Sequence, residues 1–219
     1  MTDAVIFDCD GVLVDSEPLA VEEIVAMMDR LGLPIGAARI YDSFLGRSFQ
    51  TILDAARDEH GVDLTPQLPR FRDDLAARFR RDLRPVPGMA QAIGALDLPR
   101  AVASSSAPER LGLSLELTGM RPLFGDHVYS AAQVARGKPA PDLFLMAADR
   151  LGVDARRCTV VEDSPAGVRA AHAAGMRVIG FLGGSHAAPA GLALRLARED
   201  PHAIIERAAE LPEALARLG

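Results

Sequence analysis

The sequence predicts an α/β protein built on a doubly wound parallel sheet, with a small all-helical domain inserted after the first strand. Short apolar runs alternate with amphipathic segments over most of the chain, as is typical of parallel strands joined by crossover helices. Residues 17–83 interrupt this alternation, because they show helical periodicity and no convincing strand. We therefore expect a core domain of residues 1–16 and 84–219 and a helical insertion of residues 17–83.

The first strand ends in the most informative stretch of the chain. Val5–Phe7 is apolar, and Asp8 and Asp10 follow two positions apart, so that an extended backbone places both carboxylates on one side. Gly11 then allows the chain to leave the sheet in a conformation that other residues resist. Neighbouring carboxylates repel each other and burial increases that cost, so stability alone does not explain this pair. A solvated turn at the strand end or a helix N-cap is the structural alternative.

Three helices account for the insertion. Apolar residues at three- and four-residue spacing predict the first over Glu17–Leu31, and the second covers Phe49–His60. The third begins at Thr65, which is a good N-cap, and extends to about Asp82. Residues 84–88, which include two prolines and a glycine, end the insertion.

The rest of the chain returns to strand–helix alternation. Strands are predicted at Arg100–Ala103, His127–Ser130, Cys158–Val161, Arg177–Phe181 and, as a short edge strand, Ala203–Ile205. Helices are predicted at Met89–Leu96 and Ala107–Thr118, from residue 142 to about Leu151, and from Pro165 to Gly175. A further helix ends at about Arg198, and a last one lies at the end of the chain. Ser106 and Glu109 have capping-box spacing, and Ser164 is a candidate N-cap.

Polar residues follow several of these strands directly. Ser104 and the pair Glu162-Asp163 come immediately after apolar runs, and Lys138 lies in a loop before a helix. Ligands of open parallel sheets bind beyond the carboxyl ends of the strands, so these residues predict one shared site. Lys138 is the single lysine among 24 basic residues. One explanation is that Lys138 has a role that needs its compact point charge, which arginine cannot replace. The alternative is that Lys138 is a surface residue with no special role.

Together these residues resemble the motifs of the haloacid dehalogenase-like hydrolases. The run Val5 to Glu17 resembles motif I, Ser104 motif II, Lys138 motif III and residues 160–167 motif IV, in the order of that family. The resemblance is closest to the branch with β-phosphoglucomutase and small sugar-phosphate phosphatases. It implies a Rossmann-like core, and the helical insertion corresponds to a C1 cap domain. The implied enzyme is a phosphoric monoester hydrolase.

The resemblance also implies roles for the site residues. Asp8 is the expected nucleophile, Asp10 the general acid/base, and Ser104 and Lys138 hold the phosphoryl group. Asp8, Asp163 and the backbone carbonyl of Asp10 are the expected metal ligands, and Glu162 is a direct ligand or lies just behind them. Three ionised carboxylates against one lysine leave about two negative charges, which one Mg²⁺ neutralises before a phosphate dianion binds.

Asp10 must carry a proton to act as an acid. An unperturbed aspartate has a pKa of ~3.9. We expect burial beside other carboxylates to raise the pKa of Asp10 toward neutral pH.

Residues outside the motifs give weaker signals. Arg47, in the cap, is a candidate substrate contact, while Arg72 and Arg78 are expected on a solvated face of mixed charge. Ser106 is expected to be a cap or loop residue, and His186 to be a surface loop residue.

Three functional classes remain open. The first is a Mg²⁺-dependent phosphatase that acts on a sugar, sugar-acid or polyol phosphate through an aspartyl phosphate. The second is a phosphomutase, although Ala20 occupies the place of a histidine found in mutases of this family. The third is a non-catalytic, receiver-like phosphoryl-binding module, although in receivers the lysine follows all the acidic residues.

Composition limits the cellular context. The chain has 219 residues, of which 49% are hydrophobic and 25% charged, as in ordinary globular proteins. A net charge of -6 argues against nucleic acid as a partner, and no apolar run reaches the ~20 residues of a membrane span. The first strand begins too early to leave room for a signal peptide, and Cys9 and Cys158 are expected as reduced core thiols. We expect a cytoplasmic monomer.

Overall fold

The computed structural model describes residues 1–43 and 49–218. Six parallel strands form one sheet, as the sequence predicts. They are β1 (Ala4–Phe7), β2 (Arg100–Ser104), β3 (Val128–Ser130), β4 (Cys158–Glu162), β5 (Arg177–Phe181) and β6 (Ala203–Ile205). Their order is β3-β2-β1-β4-β5-β6, which is the order of doubly wound sheets, and β6 is an edge strand.

Helices cover both faces of this sheet and form the insertion. The insertion contains α1 (Glu17–Arg30), α2 (Ala37–Ser43), α3 (Phe49–His60) and α4 (Leu68–Asp82). The core contains α5 (Met89–Gly94), α6 (Pro108–Leu117), α7 (Asp142–Leu151), α8 (Pro165–Ala173), α9 (Leu192–Ala197) and α10 (Leu211–Arg217). Sequence reasoning missed α2, which is seven residues long and too short to show a clear period.

Alternation along β1 divides the core into two apolar layers. Val5 and Phe7 pack on one face, where Phe7 meets the Phe124 ring edge-on at 5.8 Å between ring centres. Ala4 and Ile6 pack on the other face. All four residues of β1 are fully buried, which is why this strand lacks the polar alternation of a half-exposed strand. This buried strand therefore fixes the position of Asp8, the residue that follows it.

Two linkers join the cap to the core side by side. The Asp15 N–H donates to the Arg84 carbonyl at 3.0 Å, and the Val86 N–H donates to the Leu13 carbonyl at 2.9 Å. In the cap, α1 packs against α4, and α4 also contacts α6 of the core. The helical cap of the predicted fold class is therefore present, and the boundaries at residues 16/17 and 83/84 stay a prediction.

The strand order determines where a site can form. Because β1 lies between β2 and β4, the carboxyl ends of these three strands are adjacent. Asp8, Ser104 and Glu162 lie there. Among residues 1–43 and 49–218, no helix is long and apolar enough to cross a bilayer.

Candidate active site

Three buried carboxylates meet at the ends of β1 and β4. Oxygen atoms of Asp8, Glu162 and Asp163 lie within 4.8 Å of one another. The three residues are 7%, 1% and 6% exposed. Burial raises the pKa of Asp8 well above its ordinary value, although Lys138 opposes this shift. Burial also raises the pKa of Asp163. The cluster is therefore electrostatically costly without a cation.

Lys138 supplies part of the missing charge. Its Nζ donates to Asp8 Oδ1 and to Glu162 Oε1, both at 2.6 Å, and its side chain is 3% exposed. Burial lowers the pKa of Lys138, but Asp8 and Glu162 outweigh that effect and leave the pKa above its ordinary value. The lysine is thus a fixed positive charge, and its Nζ also lies 4.8 Å from the centre of the Phe144 ring.

The donor set of the cluster suits a divalent cation. Three carboxylates offer only oxygen ligands, which Mg²⁺ and similar hard cations prefer. One lysine does not balance three carboxylates. Burial raises the pKa values of Asp8 and Asp163, and the charge of Glu162 raises both further. The residues present therefore fit the metal that the family resemblance implies.

Glu162 is oriented by the start of α8. The Ser164 N–H and Oγ donate to Glu162 Oε2 at 2.7 and 2.9 Å. Ser164 Oγ accepts from the Gly167 N–H at 3.0 Å, so Ser164 is the N-cap that the sequence predicts. A Cβ atom at Gly167 would lie 1.8 Å from Glu162 Oε1. Only glycine leaves room for this carboxylate.

Asp10 lies in a separate hydrogen-bond network beside the cluster. Ser16 Oγ donates to its Oδ1 at 2.6 Å, and Ser106 Oγ donates to its Oδ2 at 2.6 Å. Arg110 Nη2 donates to Oδ1 at 2.8 Å, and Ser104 Oγ lies 3.5 Å from Oδ2. Four side chains, one from residue 16 and three from residues 104–110, therefore surround this carboxylate.

The expected pKa shift of Asp10 is wrong in sign. Burial raises the pKa of Asp10, but Arg110 and the hydrogen bonds from Ser106 and Ser16 together outweigh it. The pKa of Asp10 consequently lies below its ordinary value. The expectation failed because the sequence gives no sign that Arg110, 100 positions away, pairs with this carboxylate.

The expected cap of α6 is also wrong. Ala107 is the N-cap residue, with no side-chain hydrogen bond, and Ser106 donates to Asp10 instead of capping the helix. Ser104 is fully buried, and its Oγ accepts from the Ser106 N–H at 3.0 Å. Both serines thus lie against Asp10. A role of Ser104 in holding a phosphoryl group stays a prediction.

His186 is not a surface residue, contrary to expectation. It is 1% exposed, and its Nε2 lies 3.0 Å from Asp163 Oδ2. Burial lowers the pKa of His186, but contact with Asp163 outweighs this and leaves the pKa above its ordinary value. Gly11 and Gly184 pack so closely on the ring that a Cβ at either would lie 2.6–2.7 Å from its Cε1 atom. The paired glycines before His186 were the one local sign of such packing.

The remaining candidates lie elsewhere. Arg47 falls outside the described residues. Arg78 pairs with Glu22 at 2.5 Å and with Asp82 at 2.6 Å on the cap surface, as expected of a solvated charged face. Arg72 is exposed on the same helix.

Sequence reasoning missed two charged residues near Asp10. Arg110, on α6, lies with its guanidinium carbon 5.3 Å from the centre of the Phe79 ring of α4. It therefore contacts both the site and the cap. Glu17, the first residue of α1, lines a pocket together with Asp163 and His186. Burial raises its pKa, and the charge of Asp10 raises it further. Neither residue has a local sequence signal beyond its charge.

The doubly wound sheet, the inserted helices and the buried carboxylate–lysine site define a class of capped α/β enzymes. A family model described as haloacid dehalogenase-like hydrolase matches residues 2–175. The chain belongs to this family and is a hydrolase.

Known proteins support this assignment over most of the chain. The 6-phosphogluconate phosphatase of Escherichia coli is 32% identical over 189 residues, which cover 85% of this chain and 86% of that protein. Hexitol phosphatase B of Escherichia coli is 32% identical over 182 residues, with coverages of 80% and 82%.

Solved structures also support the assignment to this family. A haloacid dehalogenase-like protein of unknown function from Agrobacterium tumefaciens has a TM-score of 0.88 at 37% identity, covering 100% of this chain and 99% of that one. A family hydrolase from Deinococcus radiodurans, solved with bound phosphate and sodium, has a TM-score of 0.80 at 34% identity, covering 99% and 96%.

We predict that Arg110→Met destabilises the protein most near neutral pH. A group with a depressed folded-state pKa contributes stability above its unfolded pKa and loses it as the pH falls through the folded value. The loss for this partly buried pair should be about 1–3 kcal/mol near pH 7. It should decrease below pH 3.8, the ordinary value, as Asp10 becomes protonated. Urea unfolding of both proteins across this range measures the difference, and a pH-independent difference would contradict the assignment to Asp10.

Proposed function

We propose that this enzyme is a Mg²⁺-dependent phosphatase that acts on a small phosphorylated metabolite through an aspartyl phosphate. The substrate class is a sugar, sugar-acid or polyol phosphate. The observation that carries the proposal is Asp8, a buried carboxylate held by Lys138 at 2.6 Å within a three-carboxylate cluster. The names of the phosphatase relatives and the phosphate bound in the Deinococcus radiodurans hydrolase support it.

Asp8, Asp163 and the backbone carbonyl of Asp10 would hold the Mg²⁺, with Glu162 as a further ligand or behind them. When bound, the cation neutralises the carboxylates and withdraws charge from the phosphoryl oxygens. Its site is the cluster whose oxygen atoms lie within 4.8 Å.

Asp8 acts as the nucleophile. One of its oxygens attacks phosphorus, and the bond between phosphorus and the leaving oxygen breaks. Lys138 Nζ neutralises charge on the phosphoryl oxygens while holding Asp8 in place. Ser104 contributes a hydroxyl at the end of the neighbouring strand.

Asp10 transfers the protons. It gives a proton to the leaving oxygen in the first step and takes one from the attacking water in the second, when the acyl phosphate is hydrolysed. Arg110 and the serines favour the ionised form of Asp10, which suits the second step. A phosphate dianion placed beside Asp10 adds negative charge and raises its pKa, which favours the protonated form for the first step.

A phosphomutase has less support. The chain is similar to a putative β-phosphoglucomutase from Thermotoga maritima, with a TM-score of 0.76 at 25% identity. Ala20, in the place of the mutase histidine, is buried and has no group that can exchange a proton. The phosphatase is therefore the function we propose.

Removal of divalent metal should abolish phosphate release. Purified protein is assayed with p-nitrophenyl phosphate and a panel of sugar and polyol phosphates, before and after chelation and after addition of Mg²⁺. We expect activity to fall to background and to return with Mg²⁺, because the carboxylate cluster repels a phosphate dianion. Activity that survives thorough chelation would refute the metal dependence.

Asp8→Asn should reduce kcat by at least about 1,000-fold, since the amide is not a nucleophile. It should not destabilise the fold. Ionised Asp8 has a raised pKa in the folded state, so its charge costs stability above the unfolded pKa, and a neutral residue removes that cost. Thermal unfolding should show an equal or higher Tm. Near-normal turnover would show that the nucleophile is elsewhere.

Lys138→Arg should reduce kcat about 100-fold. The planar guanidinium is too broad to place one charge between Asp8 and Glu162 in a space that leaves the lysine 3% exposed. Arg136→Lys is the control, because Arg136 pairs with Asp142 on the surface two positions away. If both variants keep wild-type rates, the single lysine has no special role.

A further inference from the structure

A pocket that the proposed steps leave unused opens beside Asp163, between the cap and the core. Besides Asp163, its wall is formed by Glu17, Ser164, Pro165, His186, Leu192 and Arg195. The empty volume is about 220 Å³, including solvent at its mouth.

Glu17 is the unusual member of this wall. It is the first residue of α1, where an acidic side chain gains a modest 0.3–1 kcal/mol from the helix dipole. Burial and the charge of Asp10 nevertheless raise its pKa to about 7. Within residues 1–43 and 49–218, no side chain forms an ion pair or hydrogen bond with its carboxylate. A helix-capping role does not explain a carboxylate held at such a cost in a cleft.

Arg195 provides a complementary group from the core. Its Nη1 donates to the Tyr41 carbonyl of α2 at 2.9 Å, so the side chain reaches from α9 to the cap. A guanidinium has five N–H donors in a fixed plane, and this bond uses one of them. The pocket therefore contains an acceptor on the first cap helix and a donor on the core.

We propose that Glu17 and Arg195 form a subsite for the leaving group and that it takes a neutral polyhydroxylated group, such as a polyol or sugar. Each hydroxyl both donates and accepts, so adjacent hydroxyls satisfy a carboxylate and a guanidinium together. Above pH 7, where Glu17 is mostly ionised, a carboxylate on the leaving group would face it as a group of like charge in a partly buried space. The subsite thus favours polyol phosphates over sugar-acid phosphates. This inference rests on the proposed phosphatase function.

The test compares three substrates of the Mg²⁺-loaded enzyme: a hexitol phosphate, 6-phosphogluconate and p-nitrophenyl phosphate. Glu17→Gln keeps the shape of the side chain and removes its charge. We expect it to lower kcat/KM about tenfold for the hexitol phosphate, mostly through KM, because a charge-assisted hydrogen bond is lost. Turnover of the aryl phosphate should stay within about twofold, and the preference for hexitol phosphate over 6-phosphogluconate should decrease. Arg195→Met should also lower kcat/KM for the hexitol phosphate selectively.

Two nearby residues provide matched controls. Glu22→Gln lies on the same helix as Glu17 and pairs with Arg78, and Arg198→Met lies just after α9 on the surface. Both should leave all three substrates unchanged. Circular dichroism and thermal unfolding show whether each variant is folded.

The outcomes separate this inference from the proposed function. Equal losses on the hexitol and aryl phosphates, or no loss with Glu17→Gln, would overturn the subsite and leave the phosphatase intact. Wild-type protein that hydrolyses none of the three substrates with Mg²⁺ would overturn both. A selective loss with Glu17→Gln and Arg195→Met, absent from the controls, is the expected result.

Discussion

The structure depends on keeping three carboxylates together at the end of a buried strand. Asp8, Glu162 and Asp163 are nearly inaccessible to water, and their mutual repulsion opposes folding. Lys138 offsets part of this cost with two contacts of 2.6 Å. Such a concentration of like charge is typical of a site where function takes precedence over stability.

The surrounding framework leaves room for these groups to lie close together. Gly167 leaves room for Glu162, and Gly11 leaves room for Asp163 and His186, because a Cβ at either position would overlap a carboxylate oxygen at 1.8 Å. Gly11 also has a φ of +79°, which other residues rarely adopt. The parallel sheet brings the strand ends together, and these two glycines let the carboxylates approach closely.

A second group of contacts joins the chemistry to the cap. Arg110 binds Asp10 on one side and covers the Phe79 ring of the cap on the other. Arg195 reaches the Tyr41 carbonyl of the cap from α9 of the core. Because the two linkers lie side by side, cap movement about them would change both arginine contacts.

The sequence by itself determined the fold class, the six strands and the residues that form the carboxylate–lysine cluster. These are properties of contiguous segments: apolar periodicity, glycine and proline at element ends, and short motifs such as Asp8-Cys9-Asp10. Only the tertiary structure placed Arg110 on Asp10 and His186 on Asp163, and it reversed the expected pKa shift of Asp10. A pKa depends on charges and burial in space, and residues 100 positions apart have no sequence pattern that reveals their contact.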